Sequence, residues 1–572
     1  MFSLADNQVA CDTSDGRSIF DQAIQELDNR RVDWTGRSLA EKIQLIDETL
    51  PRIQQVASDW VAAGTKAKGT DFESPLAGEE WLTGPYITAR NLRLIRQSLR
   101  DIDQVGTPQL PGRPYVQAGQ VVAPVFPTDR YDQLMSYGYK AAVWMKPGIQ
   151  LSELTNTMGL SKNTKSHGNL CLILGAGNVS SIAPTDAFYK LFVENQVVLL
   201  KMHPVNKYLG NIFEKALQPI LNCGALRIVY GEKEEGTYLC HHPSVDEIHI
   251  TGSDKTHDAI VFGEGQTGHQ QKESCRPLLK KPITSELGNV SGVIIMPGSW
   301  RKRDLHFQAE NIAATLVNNA SCNCNTTRVI ITHRDWNQRE DFLNAIRQQL
   351  GQIAPRKAYY PGTHERFNQF TDAHPEAEHF GHVAADELPW TLISGLNAEN
   401  RDDPCFTTEP FCPVMAETPI VGDDIDDFLD QAVHFVNDTL WGTLSASIIV
   451  DPKTQRNAKT NQAIERAISQ LRVGTVAVNH WAGVSYAMNS TTWGAFPGHE
   501  LSDIRSGRGV VHNTYMFSEP EKSVLRGPFR PPMTPPWFPS HRQPHRLGPK
   551  LVAFECHPSI FRLPGIFYRA FA

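Results

Sequence analysis

The sequence has no apolar run long enough to cross a bilayer; even V-V-L-L, Val197 to Leu200, stops at Lys201. It has no surplus of positive charge either. Against 55 Lys and Arg stand 62 Asp and Glu, giving a formal net charge of −7 and a pI of about 6.3, so no basic field draws in nucleic acid or an anionic membrane. The opening M-F-S-L-A-D-N-Q-V-A-C-D has polar and acidic residues where a secretory leader needs a basic start and an apolar run. The ten cysteines are scattered, without the spacing of a disulfide framework. These absences predict a cytoplasmic protein with reduced thiols, no membrane span and no nucleic-acid partner.

What is present is a large apolar inventory. The 572 residues and 63.8 kDa, 40% of them hydrophobic, suffice for two or three domains with full cores. Through the first hundred residues, apolar side chains recur at helical spacing: Ile43, Ile46, Leu50, Ile53, and again Leu92, Ile95, Leu99. From Leu170 the pattern changes to short apolar runs separated by helical stretches. L-C-L-I-L-G-A-G, Q-V-V-L-L-K, L-R-I-V-Y-G and E-I-H-I-T-G-S alternate with D-A-F-Y-K-L-F-V and a helix near Ala216. That is the βαβ pattern of a parallel, dinucleotide-binding sheet. A second cycle follows Glu286, with strands predicted at V-S-G-V-I-I-M, R-V-I-I-T, S-A-S-I-I-V and G-T-V-A-V-N and a helix over Asp341 to Leu350.

The end of the chain differs. Gly527 to Lys550 carries eight prolines together with Arg530, Arg542, Arg546 and Lys550, a composition that predicts neither regular helix nor sheet. Apolar residues then resume (Phe554, Ile560, Phe561, Leu563, Ile566, Phe567, Phe571) and need something to pack on. A strap against the chain's own body or a neighbouring subunit is the plainest expectation. A proline-rich ligand for another protein and a membrane-touching tail are the alternatives.

Two segments carry chemistry. N-N-A-S-C-N-C-N-T-T-R, residues 318–328, offers thiols among small polar residues, and E-L-G-N, Glu286 to Asn289, offers a carboxylate on a glycine-softened turn. A thiolate to attack a carbonyl and a base to bring in water are the needs of acyl chemistry. Asn178 follows G-A-G, where a flexible backbone lets an amide project into a cleft, an Asx turn being the alternative. Lys201 ends a buried strand, where an ammonium is costly unless it meets an anion or hydroxyls; the alternative is a lysine snorkelling at the sheet edge. Gly252 and Ser253 open a helix whose amides can reach a phosphate.

Together these motifs resemble the aldehyde dehydrogenase superfamily, from about Leu170 to about Asn479 and more loosely over the helical N-terminal region. The spacing of Asn178 and Lys201 matches the family's oxyanion Asn and cofactor-ribose Lys. T-G-S, Thr251 to Ser253, is similar to its pyrophosphate turn, and E-L-G, Glu286 to Gly288, to the motif holding the general base, with Gly288 beside the cofactor. E-P-F-C-P-V, Glu409 to Val414, resembles the segment whose Glu holds the nicotinamide ribose and whose Phe packs near the ring, and G-T-V-A-V-N, Gly474 to Asn479, follows in place.

The resemblance implies an α/β fold of two domains, a Rossmann-like cofactor domain and a catalytic domain, with a small oligomerisation arm and a homodimeric or homotetrameric assembly. The expected boundaries are 1–285 for the helical region and cofactor domain, with the arm inside 118–166, then 286–480 for the catalytic domain, 481–526 returning to the cofactor and oligomerisation region, and 527–572 for the strap. It also implies NAD(P)-dependent oxidation of an aldehyde to a carboxylic acid through a cysteine thiohemiacetal and thioester.

The departures are informative. Pro204 in K-M-H-P stands where the family often has a Glu for the adenosine ribose, which leaves NAD and NADP both open. Counting the cysteine motif from Asn318 or from Arg328 puts the nucleophile at Asn323, which has no nucleophilic side chain. Cys324, after a one-residue shift, is the expected nucleophile, Cys322 the alternative, and two inert buried thiols the bland reading. A zinc site using Cys405, Cys412 or Cys240-His241-His242 finds no supporting spacing. Trp481, Tyr486, Trp493 and Phe496 suit either a substrate channel or a core. Glu286 could be an ion-pair partner instead of a base. The rival functions are a coenzyme A-acylating dehydrogenase or acyl reductase, and a fold without catalysis that binds nucleotide.

Overall fold

The computed structural model describes residues 13–159 and 168–571. Residues 160–166, within the span expected to hold the arm, and the first twelve residues lie outside the described residues. The long helix Leu39–Ala67 begins at a capping box: the Ser38 hydroxyl accepts from the Glu41 N–H while the Glu41 carboxylate accepts from the Ser38 N–H. Its apolar stripe buries Ile46, Leu50, Ile53 and Trp60 against the first of two large sheets, as does Leu92–Ile95–Leu99 of the helix Ile87–Val105.

That sheet has six strands. Leu226–Val229, Val197–Lys201, Leu170–Leu174, Glu247–Thr251 and Ile283–Glu286 run parallel in this spatial order, and Gly507–Arg508 closes the edge antiparallel to Ile283–Glu286. Helices cover both faces, so its strands read as unbroken apolar runs; every residue of Val197–Lys201 is buried. Lys201, Thr251 and Glu286 all stand at carboxyl ends of parallel strands, the edge where open α/β sheets bind ligands.

After Glu286 the chain steps into the second sheet. Ser291–Ile295 lies at its centre, between Thr327–His333 and Ser445–Ile449, all parallel. This sheet has eleven strands and continues through Thr475–Val478 and Pro520–Arg526 to an antiparallel flap made of Lys140–Met145, Gln120–Phe126 and Tyr115–Gln117. The α/β class with a Rossmann-like sheet and a second α/β domain, expected from the alternating pattern, is what the structure shows. Among the described residues no helix is long and apolar enough to cross a membrane.

The proline-rich stretch corrects one expectation. It is irregular only to Gln543; Pro544–Cys556 is an α-helix and Leu563–Ala570 another. Pro544 occupies the first turn, where its missing N–H has no partner to lose. Pro549 does delete an internal bond, and long-range contacts offset that loss. Glu555 is buried between Arg90 (2.9 Å) and Arg93 (2.6 Å), and the Cys556 thiol donates to the Leu50 carbonyl at 3.1 Å.

Candidate active site

The thiol loop is shaped by an unusual backbone. Beyond the helix Lys302–Val317, Asn319, Ala320 and Ser321 take φ of 53°, 51° and 68°, a left-handed turn without a glycine. Each such residue costs about 1 kcal/mol, and buried polar contacts offset it. The Arg328 guanidinium donates to the Ser321 hydroxyl (2.8 Å), the Ser321 carbonyl (2.7 Å) and the Cys412 carbonyl (2.8 Å). Asn323 is consumed inside the loop: its amide donates to the Asn318 side chain (3.0 Å) and its side-chain oxygen accepts from Asn319 (3.1 Å). The side chain at the position where the motif count places a nucleophile therefore ties the loop together.

The two thiols part company. Cys322 is fully buried, its sulfur against the Ala320 and Phe411 carbonyls at 3.6 and 3.9 Å, and burial pushes its pKa up to about 11. Cys324 is half-buried and lines an apolar cavity of about 250 Å³ together with Glu286 and Asn178. The Cys324 thiol and the Glu286 carboxyl interact closely enough to shift each other's titration. Burial, then the neighbouring Glu286 and Glu409 charges, hold that thiol well above its ordinary pKa. Burial likewise lifts Glu286 to about 8, with Asp186 and Glu409 adding to it, and its Oε1 has no hydrogen-bond partner. A carboxyl that titrates near neutrality, with one oxygen free, can exchange a proton with a thiol or a water.

Asn178 donates from Nδ2 to the Cys322 carbonyl at 2.9 Å, which uses one of its two amide hydrogens. Its own carbonyl is held by Asn319 Nδ2 (3.0 Å), by Lys68 Nζ (3.2 Å) and by the Tyr359 hydroxyl (3.3 Å). Lys68 also bonds Glu80 (2.6 Å) and the Asn319 side chain (2.8 Å). This lysine, from the end of the first long helix, was invisible to motif reading because nothing local marks it.

The residues expected to hold a cofactor fall in two groups. Lys201 donates to the Gly231 carbonyl, and burial lowers its pKa. Ser253 caps the helix Asp254–Phe262, accepting from the Thr256 N–H, while the Gly252 N–H donates to the Glu286 carbonyl at 3.1 Å. Glu409 accepts from the Asn289 N–H at 3.1 Å, and burial raises it to about 7. A Cβ on Gly288 would stand 2.2 Å from the Glu409 carboxylate, so a larger residue there would have to displace that carboxylate. The Phe411 ring packs edge-on to Tyr360 at 5.0 Å. A lysine and an open helix N-terminus at the carboxyl edge of a parallel sheet, with a carboxylate and an aromatic ring across the cleft, form a donor set that fits a dinucleotide.

Of the aromatic candidates, Trp481, Tyr486 and Trp493 line the cavity. Phe496 lies under Lys522 instead, with the ammonium 5.2 Å from its ring centre. Cys405 sits beside His374 and Asp403, all three buried. Asp403 Oδ1 already bonds both His374 Nε2 (3.1 Å) and the Cys405 N–H (2.9 Å), the arrangement of a helix cap.

Residues 178–364, which run from Asn178 through Lys201, Glu286 and both thiols, match the model of the aldehyde dehydrogenase family. That matched segment, about a third of the chain, is similar to the family. A betaine aldehyde dehydrogenase of Vibrio vulnificus is 24% identical over 376 residues, 62% of this chain, and the chain spans 64% of that relative's length. Aldehyde dehydrogenase structures share the fold across most of the molecule. KauB of Pseudomonas aeruginosa superposes with a TM-score of 0.60 at 16% identity, covering 90% of each chain. Aldehyde dehydrogenase C of Pseudomonas syringae, solved with NAD+ and octanal, gives 0.58 at 16% over 90% of each. The NADP-dependent glyceraldehyde-3-phosphate dehydrogenase of Bacillus halodurans, solved with NADP, gives 0.58 at 16%, covering 89% of this chain and 91% of its own.

Proposed function

We propose that this protein oxidises an aldehyde to a carboxylic acid with NAD or NADP as acceptor. The observation that carries the reading is the meeting of Cys324, Glu286 and Asn178 in one mostly apolar cavity. Lys201, Gly252 and Ser253 would hold the adenosine and phosphate half of the dinucleotide, and Gly288, Glu409 and Phe411 the nicotinamide half. When bound, that ring supplies the acceptor for the hydride leaving the Cys324 adduct.

The chain's own residues do the rest. Cys324 gives up its proton to solvent and the thiolate sulfur bonds the aldehyde carbon; the carbonyl oxygen becomes an alkoxide that accepts a hydrogen bond from the second amide hydrogen of Asn178. Once oxidised, the carbon is a thioester on Cys324. Glu286 then removes a proton from water, the hydroxide displaces the thiolate, and the acid departs. Pro204 places no carboxylate against a 2′-phosphate, so either dinucleotide suits the site. We read the helical region with the six-stranded sheet as the cofactor domain, the eleven-stranded sheet as the catalytic domain, and the antiparallel flap as the surface for a homodimer or homotetramer.

The test is formation of reduced nicotinamide by purified protein with NAD or NADP and a panel of aldehydes, without coenzyme A. Turnover that requires coenzyme A would replace hydrolysis by acyl transfer to that thiol. The raised pKa of Cys324 favours one second reading, a nucleotide-binding member of the fold without catalysis. Stoichiometric dinucleotide binding with no turnover and no reaction at Cys324 would decide for it.

A further inference from the structure

The cavity above Cys324 is walled on its outer side by the far end of the chain. Pro531 to Trp537 cross its outer side, and Phe567 and Ala570 from the last helix complete the roof. Both ends of this segment are fastened. At one end the Gly527 N–H donates to the Val478 carbonyl (3.1 Å), Gln308 to the Phe529 carbonyl (2.6 Å) and the His480 ring to the Pro528 carbonyl (2.9 Å). At the other, Glu555 is locked between Arg90 and Arg93. The roof is a fixed wall, and its chemistry is narrow. Four of its seven residues from 531 to 537 are prolines, which offer no N–H and hold φ in one well. Apart from Glu286, the charged groups that line the cavity are already paired: Arg90 with Asp132 and Glu555, Glu79 with Arg356.

We propose that the C-terminal segment is the specificity-determining wall of the substrate cavity, with Met533 and Phe567 as its selecting side chains, and that it admits uncharged, predominantly apolar aldehydes while rejecting those bearing a carboxylate or phosphate. The proposal rests on the reading above that Cys324 attacks an aldehyde. A charged tail in this cavity meets no unpaired cation and a mostly apolar lining, so it gives up hydration without gaining a counter-ion. An apolar tail meets proline rings, a thioether and a phenyl ring. The volume agrees: a dry cavity of about 150 Å³ already accepts benzene, so about 250 Å³ takes an aryl aldehyde or a medium aliphatic chain.

The experiment compares kcat/KM for octanal, acetaldehyde and succinic semialdehyde in the full-length protein and in Met533→Ala, Phe567→Ala and Phe561→Ala. Phe561 belongs to the same segment, is 90% exposed and does not line the cavity. The expected result is octanal first and succinic semialdehyde last in the unaltered protein. The octanal-to-acetaldehyde ratio should fall about tenfold in Met533→Ala and Phe567→Ala and stay within about twofold in Phe561→Ala. A ratio that Met533→Ala and Phe567→Ala leave unchanged, or a preference for succinic semialdehyde, overturns the proposal.

Absence of turnover on every aldehyde would refute the dehydrogenase reading, and the roof is then decided by a readout that needs no catalysis. Methyl and octyl methanethiosulfonate are compared for their rate of modification at Cys324, followed by peptide mass. A lower octyl-to-methyl ratio in Met533→Ala and Phe567→Ala, but not in Phe561→Ala, supports the wall; the same ratio in all refutes it.

Discussion

Two irregular segments face each other across the cavity, and they are built by opposite means. The thiol loop, 318–325, is held by a dense web of side chains: Arg328, Asn319, Asn323 and Lys68 hydrogen-bond within it and onto it, and three non-glycine residues stay left-handed. The C-terminal segment is fastened at a few points, at Phe529, at Ser540 and at Glu555, and proline stiffness spans the interval between the first two. Chemistry needs a sulfur fixed to a fraction of an ångström against its partners, whereas selecting a substrate needs only a wall of the right shape. A loop of the first kind should fail abruptly when altered, and a wall of the second kind should fail by degrees.

Substitution should expose that contrast, beginning with the sulfur. Cys324→Ala should lower turnover about 10⁴-fold or more and leave dinucleotide binding intact, measured by fluorescence titration. Cys322→Ala should retain most activity; the reverse ranking would move the nucleophile to Cys322. Glu286→Gln should give a stoichiometric burst of reduced nicotinamide followed by a stall in rapid-mixing kinetics, and a uniform slowdown would deny Glu286 its part in hydrolysis. Because Glu286 titrates near 8 in the fold, the hydrolytic rate should rise with pH through about 8, a limb absent from Glu286→Gln.

The same shift bears on stability. The fold favours the protonated carboxyl, so this contribution is complete below 4.5 and is lost as pH rises through about 8. Thermal denaturation of the unaltered protein should therefore lose ground to Glu286→Gln across that window; parallel Tm curves would contradict the buried titration. Arg328→Met strips donors from the Ser321 and Cys412 carbonyls and should cost about 3 kcal/mol, read from the denaturant midpoint, with activity falling alongside. The smallest effect belongs to the wall: Pro532→Ala should cost no more than about 1 kcal/mol, chiefly by loosening the unfolded chain, and leave the rate with acetaldehyde unchanged.

Much of this molecule is written locally. The strands of the parallel sheet announce themselves as apolar runs between helical stretches, and the Ser38–Glu41 box marks the first long helix. Glu286, Lys201 and Ser253 are readable because each sits at the end of a periodic element. What escapes is whatever depends on distant partners or on an unmarked backbone. No residue type signals that Asn319, Ala320 and Ser321 turn left-handed, so the motif count stops at Asn323. Lys68 reaches Asn319 across 251 residues of sequence. The prolines after Gly527 announce an irregular path, yet which cavity that path would cover, and that Pro544 would start a helix, follow only from contacts made elsewhere.

The pairing of Arg90 with Glu555 spans 465 residues. Synthesis runs from the amino end, so the thiol, the base and both sheets are complete while the cavity still lacks its outer wall. Until the last helices emerge and reach back, an apolar interior and an arginine short of one of its two carboxylates stand open to solvent, and a chain cut between Arg526 and Glu555 keeps that defect permanently. Such a species presents the sticky surface that quality control recognises, so loss of the tail should reduce the amount of soluble protein before it alters any rate constant.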